Sequence, residues 1–171
     1  MNAKLVFNYF LLFIGLFLFQ LTVLNNIDLG PYFKPQILVL FVLLLPKEIT
    51  FSYLLLLSFA LGLFSDILLN TNGLNASSLL LIAFIRRFWL PKEVNPRPEF
   101  NVVPSLRVVL NQKWLAYILL LNFIYHFNFF ILDYFSFRLF FKIIVVSVLS
   151  CLLSIFFQWI IFKLFLKPKL Y

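Results

Sequence analysis

The chain has 171 residues, of which 64% are hydrophobic and 12% charged, with a formal net charge of +8. Its mean hydropathy is +1.05. A soluble domain of this length cannot shield so much apolar side chain from water, so the composition excludes one and makes a bilayer the solvent.

A helix needs about 20 apolar residues to cross a hydrocarbon core of about 30 Å. The first candidate runs from Leu5 to Leu24. It is too long for a signal core, and Thr22-Val23-Leu24-Asn25 offers no small-residue cleavage site, so it is expected to stay as an anchor. The second, Phe33 to Leu45, is short and bracketed by Pro35 and Pro46. The third runs from Phe51 to Leu69 and the fourth from Leu74 to Leu90. The stretch from Pro91 to Lys113 is the largest loop and holds four prolines. Within it, Val102, Val103, Leu106, Val109 and Leu110 share one face. That pattern predicts a short amphipathic helix over 101–111 on the inner leaflet, the alternative being an ordinary connector that touches lipid. The fifth candidate runs from Trp114 to Leu132 and the sixth from Leu139 to about Leu166. Neither repeats nor a second domain interrupt this single unit, 1–171.

Charge decides whether the second run crosses. With a cytoplasmic N-terminus and six spans, the inside holds Lys4, Lys47, Arg86, Arg87, Lys92, Arg97, Arg107, Lys113, Lys163, Lys167 and Lys169, and the outside only Lys34, Arg138 and Lys142. Without that crossing, the basic loop between the fourth and fifth spans would face outward, against the positive-inside rule. The expected architecture is therefore an all-α integral membrane protein, six transmembrane helices in one bundle, with both termini cytoplasmic. The basic inner face suits anionic lipid headgroups. No groove of interleaved basic and aromatic residues suggests nucleic acid.

Polar residues within the spans are costly and therefore informative. Ser58, Gly62 and Asp66 form one stripe of the third span, Asn8, Gly15 and Thr22 one of the first, and Ser147, Ser150, Ser154 and Gln158 one of the sixth. Small and hydroxylated stripes let helices approach closely, so bundle packing accounts for them. Asp66 precedes Asn70-Thr71-Asn72-Gly73 and is expected to cap the fourth helix or bond the turn. An ion site is the alternative, with Asp133 as the only other candidate acid. Asn122, His126 and Asp133 share a face of the fifth span, where a lone His126 suits a hydrogen-bonded packing residue better than a catalyst. Cys151 is the only cysteine, so no internal disulfide can form. No metal-ligand cluster, activated nucleophile or phosphate loop stands out, so neither a cofactor nor an enzyme is expected.

Gly62-Leu63-Phe64-Ser65-Asp66-Ile67-Leu68, then Asn70-Thr71-Asn72-Gly73-Leu74-Asn75-Ala76 and Ile82-Ala83-Phe84-Ile85-Arg86-Arg87, resemble the rod shape-determining protein MreD family. Trp114, Tyr117, His126 and Asp133-Tyr134-Phe135-Ser136-Phe137 are similar to a second stretch of one version of that family. Arg87 departs from it, standing where that version tends to have proline. The resemblance spans nearly the whole chain. It implies a fold similar to the substrate-binding subunits of energy-coupling-factor vitamin transporters. It also implies a non-enzymatic scaffold that works with MreC and couples MreB filaments to peptidoglycan synthases, including RodA and its transpeptidase. The residues the motifs single out are Gly62, Asp66, Asn70, Gly73, Arg86, Arg87, Trp114, Tyr117, Asn122, His126 and Asp133. Of the rivals, a vitamin-type transporter subunit is expected to carry paired alanines four apart on the first span, which is Phe and Leu instead. A lipid-handling enzyme lacks its acid–base pair.

Overall fold

The computed structural model describes residues 3–24, 26, 30, 33–45, 49–89 and 112–165. Among them the secondary structure is entirely helical. Helix α1 (Ala3–Phe19) continues into a π turn (Gln20–Leu24). It is followed by α2 (Leu38–Leu44), α3 (Phe51–Leu69), α4 (Leu74–Trp89) and α5 (Gln112–Tyr134). A 3-10 turn (Phe137–Leu139) then leads into α6 (Phe140–Phe165). Among the described residues three stretches are long and apolar enough to cross a membrane: Phe51–Leu69, Trp114–Tyr134 and Phe140–Ile161. Their outward faces carry Tyr53, Leu56, Ile67, Leu119, Leu152 and Phe156, all well exposed, as contact with lipid requires. The interfacial helix expected over 101–111 lies outside the described residues.

Helices α3 and α4 form one hairpin, α5 and α6 a second, and α4 packs against α5. The turn between α3 and α4 follows from its residues. Asn70 and Asn72 have φ of 51° and 49°, and Gly73 has 86°. Asparagine and glycine are the residues that accept this left-handed region at least cost. Asn70 ends α3 by turning its N–H back to the Asp66 carbonyl. Gly62 sets how closely the hairpin closes: a Cβ there would lie 2.3 Å from the Ala76 Cα.

The second apolar segment departs from expectation. Only Leu38–Leu44 is helical, and 33–37 precedes it outside any helix. Seven residues of helix reach only about 10 Å. Every residue from Ile37 to Leu45 is at most 4% exposed, so α2 is the core of the bundle, covered by α1, α4 and α5. An apolar run reads the same in sequence whether lipid or protein surrounds it.

The first-span stripe is a second correction. Gly15 and Thr22 are exposed, and Gly15 has nothing near its Cβ position. The side of α1 that meets the core carries Tyr9, Leu16 and Phe17. The stripes of α3 and α6 do face inward: Ser58, Gly62, Asp66, Ser147, Ser150, Ser154 and Gln158 are all buried.

Candidate functional site

The non-helical stretch before α2 carries backbone groups that no helix satisfies, and buried backbone groups must find partners. Side chains from α6 and from the π turn supply them. The Lys34 N–H donates to Ser150 Oγ at 3.2 Å and the Gln36 N–H to Ser154 Oγ at 2.8 Å. Gln20 takes both polarities, with Nε2 donating to the Pro35 carbonyl at 3.1 Å and Oε1 accepting the Ile37 N–H at 2.9 Å. Gln158 Nε2 donates to the Gln36 carbonyl at 3.1 Å. The serine stripe of α6 is thus a substitute hydrogen-bonding ladder for a chain that has left the helix. Ser154 lies about 21 Å along α6 from its start at Phe140, which puts the unwound backbone near mid-height of the bundle.

Asn122 and His126 brace this ladder from α5. Asn122 and Gln158 form a reciprocal amide pair, with bonds of 2.8 and 3.1 Å. His126 Nδ1 lies 2.8 Å from the Asn122 carbonyl. A carbonyl only accepts, so Nδ1 carries a proton, and Nε2 lies 3.0 Å from Ser154 Oγ, whose single hydroxyl proton is shared between Nε2 and the Ser150 carbonyl at 2.8 Å. Asp133, at the end of α5, is not part of this set. It pairs with Lys34 Nζ at 3.2 Å, so Lys34 keeps its backbone in the bundle while its ammonium reaches the rim beside the Phe129 ring.

A second group centres on Asp66 and Asn75. The Asp66 carboxylate accepts from the backbone N–H of Asn75 at 2.9 Å and of Ala76 at 2.8 Å, capping the first turn of α4, where acidic groups are favoured. It also accepts from Asn75 Nδ2 at 2.9 Å and from the Thr71 hydroxyl. Asn75 is the hub. Its Nδ2 donates to Thr71 Oγ1 at 2.8 Å as well, and its Oδ1 accepts from Gln36 Nε2 at 3.2 Å and from the Tyr125 hydroxyl. One amide thereby joins α3, α4, α5 and the unwound segment. Gln36 Oε1 alone in this group is buried without a partner.

The far end of α2 is held by Tyr9, whose hydroxyl donates to the Leu44 carbonyl at 3.3 Å, and by Arg86, whose guanidinium donates to the Leu45 carbonyl. A cation there complements the helix dipole. Trp114 and Tyr117 stack beside this end with ring centroids 5.0 Å apart. Arg87 points the other way, its guanidinium over the Phe51 ring at 4.9 Å.

Of the singled-out residues, Gly62, Asp66, Asn70 and Gly73 meet at the α3–α4 turn. Asn122 and His126 meet at the ladder, and Arg86, Trp114 and Tyr117 at the end of α2. Arg87 and Asp133 stand apart at the surface. Gln20, Gln36, Asn75, Tyr9 and Tyr125 were not singled out as site residues. The available signal was a glutamine in each of the first two apolar runs, one of them next to Pro35. Among the described residues no group of three His, Cys, Asp or Glu side chains could hold a metal ion. A recess of about 230 Å³ between the ends of α5 and α6, lined by Ile131, Leu132, Phe135, Ser136, Phe140 and Ile143, is almost wholly apolar and suits an acyl chain or apolar side chain. No family model, curated protein or solved structure matches this chain.

Proposed function

We propose that this chain is a non-enzymatic, multi-pass scaffold of the bacterial cytoplasmic membrane, an MreD-like subunit of the cell-elongation complex. It would cross the membrane six times with both termini inside, and hold MreC while linking MreB filaments to RodA and its transpeptidase. The observation that carries the reading is where the motif residues direct their polarity. Asp66 caps α4, Arg86 caps the end of α2, and Asn122 and His126 brace the ladder on α6. The resembling motifs build a rigid bundle whose outer faces are apolar, which suits a protein that works by contact within the bilayer. Depletion in a rod-shaped host is expected to give round cells. The protein purified in mild detergent is expected to bring down MreC, with RodA and its transpeptidase as weaker companions. Rods that persist after depletion, together with loss of no partner, overturn the reading.

One observation favours a second reading, the substrate-binding subunit of a vitamin-type transporter. Unwound segments at mid-height are where membrane transporters bind substrates, and here such a segment carries the unpaired acceptor Gln36 Oε1. Tight binding of a vitamin-sized ligand and co-purification with ATPase subunits would favour it over the scaffold.

A further inference from the structure

Arg86 is a buried charge whose hydrogen-bond acceptor is a neutral carbonyl. It is 3% exposed, and its Nε–H has no partner. Beside it, Tyr117 is 4% and Trp114 1% exposed, and the phenol hydroxyl and the indole N–H are unpaired as well. The Tyr117 hydroxyl lies next to the guanidinium without a hydrogen bond of normal geometry to it. Among the described residues the ion pair is Lys34 with Asp133, so no described carboxylate offsets this charge. An uncompensated guanidinium away from water is costly, and an unmade hydrogen bond at each neighbour adds to the cost. A water molecule could satisfy a donor but not the charge.

The chemistry of the three groups specifies what completes them. The Arg86 Nε–H and the Trp114 indole can only donate, and the Tyr117 hydroxyl can donate. The missing group is therefore anionic and presents several acceptor oxygens. The height specifies its source. Arg86 lies in the last turn of α4, and Trp114 and Tyr117 lie in the first two turns of α5. Phe88 and Trp89, 68% and 56% exposed, flank them outward. Aromatic side chains with a basic pocket between helix ends mark the headgroup level of a bilayer.

We propose that Arg86, Trp114 and Tyr117 form a binding site for the headgroup phosphate of one phospholipid. The site needs only that the chain sits in a bilayer and stands independently of the scaffold function. Binding ties α4 and α5 together at that end through the lipid, while Arg86 holds the end of α2 directly.

The test uses the full chain in mild detergent, with native mass spectrometry to count retained phospholipid. Melting is followed during titration with short-chain phosphatidylglycerol and, separately, with inorganic phosphate. One retained phospholipid is expected, with stabilisation by phosphatidylglycerol and little by inorganic phosphate. Tyr117→Phe keeps the ring and removes one donor, and Trp114→Phe keeps a smaller aromatic ring while removing the indole N–H. Each is expected to weaken phosphatidylglycerol binding roughly tenfold, as loss of a hydrogen bond to a charged group predicts. Arg86→Gln should abolish it, and the two ring variants keep the test valid if that variant fails to fold. Unchanged phosphatidylglycerol binding in both ring variants overturns the proposal, as does equal stabilisation by inorganic phosphate. It is also overturned if Glu48→Gln, Glu93→Gln or Glu99→Gln lowers the melting temperature as much as Arg86→Gln and makes that exchange silent. The guanidinium would then belong to one of the chain's own carboxylates.

Discussion

The backbone N–H of Gln36 and the hydroxyl of Ser154 are joined at 2.8 Å across 118 positions of sequence. The bond replaces one that a continuous second helix would have made within itself. It explains why a serine is buried on a helix otherwise rich in Leu, Ile and Phe, and why the chain can unwind in the interior without leaving backbone donors bare.

Ser154→Ala removes that acceptor and the partner of His126 Nε2 together. The expected loss is about 1–3 kcal/mol, the cost of a buried group left unsatisfied, and Ser154→Thr should recover most of it. Ser147 supplies the control. It is just as buried, and its hydroxyl donates to the Ile143 carbonyl of its own helix as that of Ser154 does to the Ser150 carbonyl, but among the described residues it takes no bond from 33–37, so Ser147→Ala should be nearly neutral. Melting temperatures of the three variants in one detergent check this. Equal losses for Ser147→Ala and Ser154→Ala would mean that the ladder to 33–37 contributes nothing.

Gly62→Ala places a methyl group 2.3 Å from the Ala76 Cα, against backbone that cannot rotate away. Helices α3 and α4 must separate, at roughly 1–3 kcal/mol or more. Gly15→Ala should be neutral or stabilising, because Gly15 has open space at its Cβ position and alanine gains up to about 1 kcal/mol in helix propensity. A clear loss for Gly62→Ala and no loss for Gly15→Ala are the expected outcomes in thermal melting.

These two glycines also show how far the sequence could be read. A glycine, an aspartate four residues on and an Asn-Thr-Asn-Gly turn mark the α3–α4 hairpin, and the bounds of α3 coincide with its apolar run. The seven-residue spacing of Asn8, Gly15 and Thr22 looks equally regular, yet Gly15 and Thr22 face outward. Periodicity gives a face and not its neighbour. The same ambiguity hid the second segment, because nothing in Ile37 to Leu45 distinguishes protein surroundings from lipid. Gln36 and Asn75 went unmarked because their partners lie on other helices, and spacing along one helix cannot show a bond such as that between Asn75 Oδ1 and Gln36 Nε2.

Asp66→Leu removes four accepted hydrogen bonds at once and leaves the first turn of α4 uncapped. At least about 3 kcal/mol is expected, seen as a low yield of folded protein and, on the proposed scaffold reading, poor retention of MreC. Asp66→Asn keeps one acceptor oxygen and should cost about 1–2 kcal/mol. Yield after size-exclusion chromatography and the amount of MreC retained measure both. An Asp66→Asn protein that folds and binds normally yet fails to support rod shape would mean that the charge itself is used, and the ion-site reading would replace the capping role.

Topology turns on whether the second segment crosses. Five residues outside a helix add at most about 18 Å to the roughly 10 Å of α2, together close to the hydrocarbon thickness of about 30 Å. A broken segment buried in protein can therefore cross although α2 alone is far too short. Lys34 carries its ammonium to Asp133 at one end of the segment, while Arg86 holds the Leu45 carbonyl at the other. A reporter fused after Tyr171 should then read cytoplasmic, and one inserted at Asn72, an exposed turn residue, external. An external C-terminus would show that a crossing was miscounted. In that case 33–45 would dip into the membrane and return, and the basic loop after α4 would lie on the side that the positive-inside rule disfavours.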